Sequence, residues 1–440
     1  MKVMKFGGTS VGKPERMMDV ARLITADRES KIVVLSALSG TTNKLVEIST
    51  CIAQRDKARA KAEIEILEIH YQAFIKELLQ TEAAVVKAKE VLREHFEFLN
   101  IATRISYSEA LTKDILAQGE LLSTKLFSCY LEEQKIGHHL LSAFDFMSID
   151  ENDEPHISVI RSKLVPILAS KSDSQIYLTQ GYICLNARGE VDNLKRGGSD
   201  YSASLIAAAI QASVCEIWTD IDGMHNNDPR IVKTTRPVEQ LSFDEAAELA
   251  YFGAKILHPA SIWPAQQEHI PVKLLNTMAP QAKGTLIAKS ASGQGVKAVA
   301  AKDGIVAINI KSSRMLLAYG FLRSVFSIFE KYRTSIDMIT TSEVAVSMTI
   351  DQTGNLNQIT AELEKLGTVS VITNQTIVSI VGHNLIQSPN LLRDLFAGIA
   401  HIPVSMVSYG GSPHNISLLV PADQKNETLQ SLNRHLFGLD

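Results

Sequence analysis

Apolar residues fall along this chain in two rhythms. Short continuous runs at Lys2–Lys5, Ile32–Leu35, Ile176–Leu178 and Glu216–Trp218 read as buried strands, each followed by a polar loop. After the first run, Pro14 suits the opening turn of a helix, and Met17, Val20, Ala21 and Ile24 recur at helical spacing. Such alternation predicts an α/β domain with a largely parallel sheet. Residues 56–100 carry two apolar stripes. One is Ile64, Leu67, Tyr71, Phe74 and Leu78; the other is Val85, Ala88, Leu92, Phe96 and Leu99. They predict a helical excursion packed on the sheet domain. Ser242 with Glu245 forms a capping-box pattern that opens a helix over Phe243–Phe252, and Gly253 ends it. A helical stretch over Pro259–His269 and a strand at Val272–Leu275 follow.

The rhythm changes after a small, polar stretch near Lys289–Lys297, which contains SASGQG and reads as a linker. Beyond it the order is strand 305–310, helix 321–331, strands 336–339 and 344–350, helix 356–366 and strand 369–373. A second round has strand 376–381, helix 390–400, strands 404–408 and 416–420, and helix 426–436. Two weak copies of a βαββαβ-like unit suggest a tandem repeat. The expected division is a domain over 1–292 and a second region over 300–440. That region splits into copies of roughly 303–374 and 375–440, with strand exchange between them left open.

Composition changes this picture little. Of 440 residues, 45% are hydrophobic and 21% charged, which is ordinary for a globular chain. A net charge of -4 gives no basic field for nucleic acid or an anionic membrane. No apolar run reaches the roughly 20 residues of a membrane helix, and the N-terminus lacks a signal-peptide pattern. Cys51, Cys129, Cys184 and Cys215 are scattered, so neither a disulfide framework nor a structural zinc is expected, and no protein-held metal was anticipated. Reduced thiols suit a cytoplasmic location.

Candidate chemistry sits where strands end. In Lys5-Phe6-Gly7-Gly8-Thr9-Ser10, a strand leads to two glycines and then a helix start. Backbone N–H groups there can face an anion, and Lys5 can supply a point charge to phosphoryl oxygens. The same residues suit a plain strand–turn–helix. The loop 36–43 (SALSGTTN) again follows an apolar strand and offers hydroxyls, which suit either an anion or a helix cap. Arg196-Gly197-Gly198-Ser199-Asp200 places an arginine suited to a carboxylate before a helix. Thr219-Asp220 ends a strand, where parallel sheets bind ligands. Lys255 lies in a loop between Gly253 and Pro259, and Glu120 follows Gly119 between two helical stretches.

Each segment is weak alone, but their ordered set is specific. KFGGTS, VVLSALSGTTN, QGE, TQGY, RGGSDYSA, TDIDG…NDPR and FGAKILHP resemble, in order, the aspartate kinases of the amino-acid kinase family, in particular the monofunctional lysine-sensitive type. The resemblance implies a three-layer sandwich with a mostly parallel sheet, followed by tandem ferredoxin-like ACT modules. It implies ATP-dependent phosphorylation of the side-chain carboxylate of L-aspartate, with Mg²⁺ on the nucleotide. Lys5 and Asp200 would be catalytic. Gly7, Gly8, Ser36, Thr219, Asp220, His225, Arg230, Lys255 and Ile256 would join Lys5 at ATP. Thr42, Glu120, Arg196 and Ser199 would hold aspartate, with Glu120 on its ammonium and Arg196 on its α-carboxylate. His225 stands where the family often has Tyr, Lys195 where a Gly is usual, and Asn193 where a Thr is usual.

The segment GFLRSVFSIFEKYRTSIDMITTSEVAVSMTID resembles the first ACT module of these enzymes. By that resemblance Met315, Gly320, Leu322, Ile336, Asp337, Thr341, Ser342 and Glu343 would hold L-lysine as an inhibitor. A homodimer joined through the ACT modules, or a tetramer, is also implied.

Overall fold

The computed structural model describes all residues except 172–173, 196, 254–256, 291–292, 294, 316–318 and 440. They form two compact units. One comprises Met1–Met224, Glu239–Leu241 and Leu257–Ser290; the other comprises His225–Val238, Ser242–Ile256 and Ala291–Asp440.

The first unit is built on a sheet of β1 (Lys2–Phe6), β2 (Lys31–Leu35), β3 (His139–Leu140), β4 (Ile176–Gln180), β7 (Cys215–Thr219), β8 (Gln240–Ser242), β9 (Val272–Asn276) and β10 (Thr285–Ala288), with β5 (Ile183–Leu185) and β6 (Val191–Asn193) forming a separate hairpin. The sheet order is β3-β4-β2-β1-β7-β9-β10-β8. From β3 to β9 every pairing is parallel, and β10 runs antiparallel to β9. All five residues of β1, β2 and β4 are buried, because helices cover both faces of a parallel sheet.

Strand alternation then assigns the faces. Met4, Phe6, Val33, Leu35 and Leu178 belong to one large core. That core also takes apolar residues from α2 (Pro14–Thr25), α3 (Thr41–Ala53), α4 (Lys57–Leu78), α5 (Glu82–Ala102) and α6 (Glu109–Glu133), all lying beyond the short α1 (Gly8–Val11). Lys5, one residue out of phase with Met4 and Phe6, therefore points to the opposite face. That face carries α8 (Gly198–Ile210), which packs against α7 (Ile157–Ser170) and α10 (Trp263–Gln267). The stripes expected over 56–100 are two helices broken at residues 79–81, with Thr81 capping the second. The helical stretch expected over 259–269 is a 3₁₀ turn at Pro259–Ser261 followed by α10, because Pro264 supplies no N–H inside that span.

In the second unit, Ser242 and Glu245 make the expected reciprocal cap on α9 (Phe243–Tyr251). The remaining elements are β11 (Gly295–Lys311), α11 (Phe321–Lys331), β12 (Ile339–Thr341), β13 (Ala345–Ile350), α12 (Leu356–Leu363), β14 (Thr368–His383), α13 (Leu391–Gly398), β15 (Met406–Ser408), β16 (Asn415–Pro421) and α14 (Lys425–Phe437). Their strands form one sheet in the order β12-β13-β11-β14-β16-β15. Two apolar cores flank it. Val306, Ile308 and Ile310 of β11 belong to the core with α11 and α12, whereas Val299 belongs to the core with α13 and α14. The strands expected at 369–373 and 376–381 are one continuous β14, and β11 starts at Gly295, inside the stretch expected to be a linker. Each long strand bends through register shifts between Lys302 and Ala307, so its two halves serve different cores. Residues 336–338 are not a strand; β12 begins at Ile339, after Asp337 N–H is donated to the Thr349 carbonyl.

Candidate active site

The C-terminal ends of β1, β2 and β4 converge on one cavity of about 350 Å³. Gly8, Ser36, Thr42, Glu120 and Ser199 all line it, although they are scattered between positions 8 and 199. Parallel strands bring them together because every loop leaving a strand's C-terminal end opens on the same edge of the sheet.

Lys5 sits beside this cavity. Its Nζ lies 2.6 Å from Asp200 Oδ1 in a pair whose side chains are only 10% and 17% exposed. The amine folds back over Gly7, where even a Cβ would approach it to 3.3 Å. Gly7 N–H reaches the Trp218 carbonyl at 3.3 Å, which fixes the turn beside the end of β7. Thr219 and Asp220 leave that strand, with Thr219 Oγ1 3.1 Å from Asp220 Oδ1. The second loop is tied to the third: Ser36 Oγ donates to Ser199 Oγ at 2.8 Å. Ser123 Oγ donates to the Ser36 carbonyl at 2.7 Å.

Two close approaches set the loop geometry. Gly197 has φ +63°, and a Cβ there would meet Ser261 Cβ at 2.5 Å. At Gly181, after β4, a Cβ would meet Ser199 Cβ at 2.4 Å. Only a hydrogen at each position lets α8 begin so near the sheet.

Glu120 is the distinctive group. It is 3% exposed. One oxygen, Oε1, accepts the Ala37 N–H at 3.3 Å, and Oε2 has no partner. Burial pushes its carboxyl up to about 8, with the Ala37 bond only partly opposing the rise. An acceptor lone pair left open on a cavity wall is suited to a cationic donor. The excursion helices contribute here: Tyr71 on α4 is fully buried and meets Thr41 Oγ1 at 3.1 Å, bracing the helix that carries Thr42.

Arg196, Lys255 and Ile256 are outside the described residues. His225 and Arg230 belong to the second unit. His225 Nδ1 is 2.7 Å from Thr235 Oγ1, and the exposed Arg230 guanidinium makes a two-pronged pair with Asp228 at 2.9 and 2.7 Å. Ala37, Leu38, Ser39, Gly40, Asn43, Tyr182 and Gly198 also line the cavity, although none of them was assigned a site role from the sequence. Tyr182 holds φ +66°, unusual for a bulky side chain. Its presence in the TQGY motif was the available signal.

The expected effector residues occupy the second unit. Gly320 opens α11 with φ +84°. Met315 and Ile336 pack against the core of α11 and α12, while Leu322, Thr341, Ser342 and Glu343 are exposed. Asp337 is not a vacant acceptor. Its Oδ1 receives Tyr251 Oη at 2.6 Å and Lys302 Nζ at 2.8 Å, while Oδ2 has no partner.

The description "Amino acid kinase family" fits residues 1–276, and "ACT domain" fits residues 378–436. Along 99% of both chains, the sequence is 33% identical to the lysine-sensitive aspartokinase 3 of Escherichia coli. The chain belongs to the aspartokinases of the amino acid kinase family. It is also 36% identical to the chloroplastic aspartokinase 3 of Arabidopsis thaliana, over all of this chain and 82% of that one. Its fold matches E. coli aspartokinase III in complex with aspartate and ADP, with a TM-score of 0.83 and 31% identity over 99% and 100% of the two chains. The lysine and aspartate complex of the same enzyme matches with a TM-score of 0.81, at 31% identity over 99% of each chain.

Proposed function

We propose that the chain is an aspartate kinase that transfers the γ-phosphoryl group of ATP to the side-chain carboxylate of L-aspartate, giving 4-phospho-L-aspartate and ADP. This is the first step of lysine, threonine and methionine biosynthesis. The observation that carries the reading is the open Glu120 oxygen on the cavity shared by Gly8, Ser36 and Ser199, next to the Lys5–Asp200 pair.

The chemistry asks little of a general base. A side-chain carboxylate with an ordinary pKa near 3.9 is already ionised at neutral pH. What limits attack is repulsion between two anions and the need for in-line placement. Lys5 and the Gly7–Gly8 backbone neutralise the transferring group, and Asp200 holds Lys5 in position. Glu120 takes the substrate ammonium, Arg196 the α-carboxylate, and Thr42 and Ser199 complete the aspartate site. Ser36, Thr219, Asp220, His225, Arg230, Lys255 and Ile256 serve the nucleotide. Among the described residues, the first unit gathers no group of three metal-binding side chains. Mg²⁺ would enter on the nucleotide phosphates, and Asp200, paired with Lys5, is a carboxylate that could meet it. When bound, the ion would offset phosphate charge.

Residues 1–292 form the catalytic domain and 300–440 the two ACT modules. L-lysine inhibits by binding the segment around Gly320 and Asp337–Glu343 in a low-activity conformation better than in the active one. The exposed apolar side chains Leu322, Phe326, Val371 and Ile372 support a homodimer joined through these modules, which could pair further into a tetramer. No helix among the described residues is long and apolar enough to cross a membrane. The four cysteines are free and buried, which supports a cytoplasmic location. A coupled ADP-release assay with aspartate and glutamate side by side, with and without lysine, tests the whole reading. ADP release with glutamate but not aspartate would overturn the substrate; inhibition by threonine but not lysine would overturn the effector.

A further inference from the structure

A second cluster lies entirely within the second unit and takes no part in the chemistry above. Glu245 on α9 is fully buried. Its Oε2 accepts the Ser242 N–H at 2.7 Å and faces Lys297 Nζ at 3.0 Å. Its Oε1 has no hydrogen-bond partner. Opposite stand His383, the last residue of β14, and His414, directly before β16, with ring centroids 5.7 Å apart. His383 Nδ1 also lacks a hydrogen-bond partner and lies 3.8 Å from Glu245 Oε1. One ligand-capable atom from each of the three side chains falls within 4.8 Å of the other two.

We propose that Glu245, His383 and His414 form a binding site for a divalent transition-metal ion of the zinc type. Two imidazoles and a carboxylate are a donor set that borderline ions prefer. With metal–ligand bonds of about 2.0–2.2 Å, two ligands of one ion at the tetrahedral angle stand roughly 3.3–3.6 Å apart. The 3.8 Å separation of His383 and Glu245 is close to that span. All three ligand atoms lie within 4.8 Å of one another, so a modest inward movement of the side chains completes the set.

The outer contacts orient the rings as a metal requires. His414 Nδ1 is 3.1 Å from the Gly382 carbonyl, which can only accept. The proton therefore sits on Nδ1, and the Nε2 lone pair is left for a ligand. That carbonyl is itself held, because Gly382 pairs with Val296 in the β11–β14 ladder. The Asn384 amide can only donate to His383 Nε2, 3.4 Å away, so in the metal-free chain the ring proton sits on Nδ1 facing Glu245 Oε1, and an ion entering there takes that proton's place. Lys297 meets the Glu245 oxygen that does not face the histidines, which leaves Oε1 turned toward them. An ion here would join the first turn of α9 to two strands of the six-stranded sheet.

The test uses the full-length chain without nucleotide, stripped with EDTA and dialysed against Co²⁺ or Zn²⁺. Expected are one tightly held equivalent per chain, ligand-field absorption of low-coordinate Co²⁺, and a higher thermal midpoint with metal. His383→Gln and His414→Gln should each lower affinity at least tenfold while the metal-free melting curve stays close to that of the parent. These two variants carry the test, since Glu245→Gln also disturbs the helix cap. No stoichiometric binding by the parent chain, or equal binding by both histidine variants, overturns the proposal. Kinase activity is not the readout, so failure of this site leaves the aspartate kinase reading untouched.

Discussion

At the scale of single residues, Lys5 is proposed to serve the phosphate and Glu120 the substrate ammonium. Replacing Lys5 with Ala would remove the cation proposed to act on the transferring group. Turnover should fall by about 10²–10³-fold, with a far smaller change in aspartate KM. Steady-state kinetics checks this, and equal losses in both constants would exclude the role. Glu120 gives a pH signature. Its carboxyl is raised to about 8, so at pH 7 the free site holds mainly the neutral acid, whereas an ammonium partner needs the anion. Aspartate binding at pH 7 should therefore release close to one proton. Apparent affinity should weaken about tenfold for each pH unit below 8. Calorimetry in buffers of different ionisation enthalpy measures the release, and Glu120→Gln should abolish it. The sign for stability follows from the same shift. The folded value lies above the ordinary 4.5, so the group opposes folding progressively as pH rises from about 4.5 to 8.

At the scale of elements, the site depends on how closely α8 approaches the end of β4. Gly181→Ala places a methyl group 2.4 Å from Ser199 Cβ, in the loop that ties Ser199 to Ser36. The helix start must move. A loss of about 1–3 kcal/mol in stability is expected, with a raised aspartate KM, read by thermal melting and kinetics together. The strand ends that supply the loops were legible in the sequence because buried parallel strands are continuous apolar runs. The pair α4 and α5 was legible as two separate stripes, the first ending at Leu78 and the second opening at Val85, on either side of the observed break. The continuous β14 was missed. Asn374 holds a left-handed φ of +55° at a register shift, which reads locally as a turn, and only pairing with β11 and β16 on either side carries the strand past it.

Across the whole molecule, the regulatory reading turns on whether the 336–343 segment can influence other elements. Asp337 shows one physical link: it receives the Oη of Tyr251, the last residue of α9. Lys302 stands over the Tyr251 ring at 4.5 Å and also pairs with Asp351 at 2.9 Å. Tyr251→Phe removes one hydrogen bond, worth about 1 kcal/mol, and leaves the ring contact in place. Lysine inhibition should then require about fivefold more lysine, while basal activity stays near that of the parent. Inhibition curves measure the shift, and equilibrium dialysis of lysine separates lost binding from lost coupling. An unchanged inhibition curve would remove Tyr251 from the pathway.

The class of both regions and the order of most elements were legible in the chain alone. These depend on local periodicity and on motifs contiguous in the chain. Tertiary structure decided what no local pattern encodes. It placed Lys5 on the sheet face of α8 within 2.6 Å of Asp200, and it left one oxygen of Glu120 open in a buried wall. It also filled Asp337 with Lys302 and Tyr251, and brought Glu245 beside two histidines more than 130 positions away in the chain. The reason is physical: burial and unmet hydrogen bonds depend on neighbours distant in sequence, and those neighbours are set only when the sheets close.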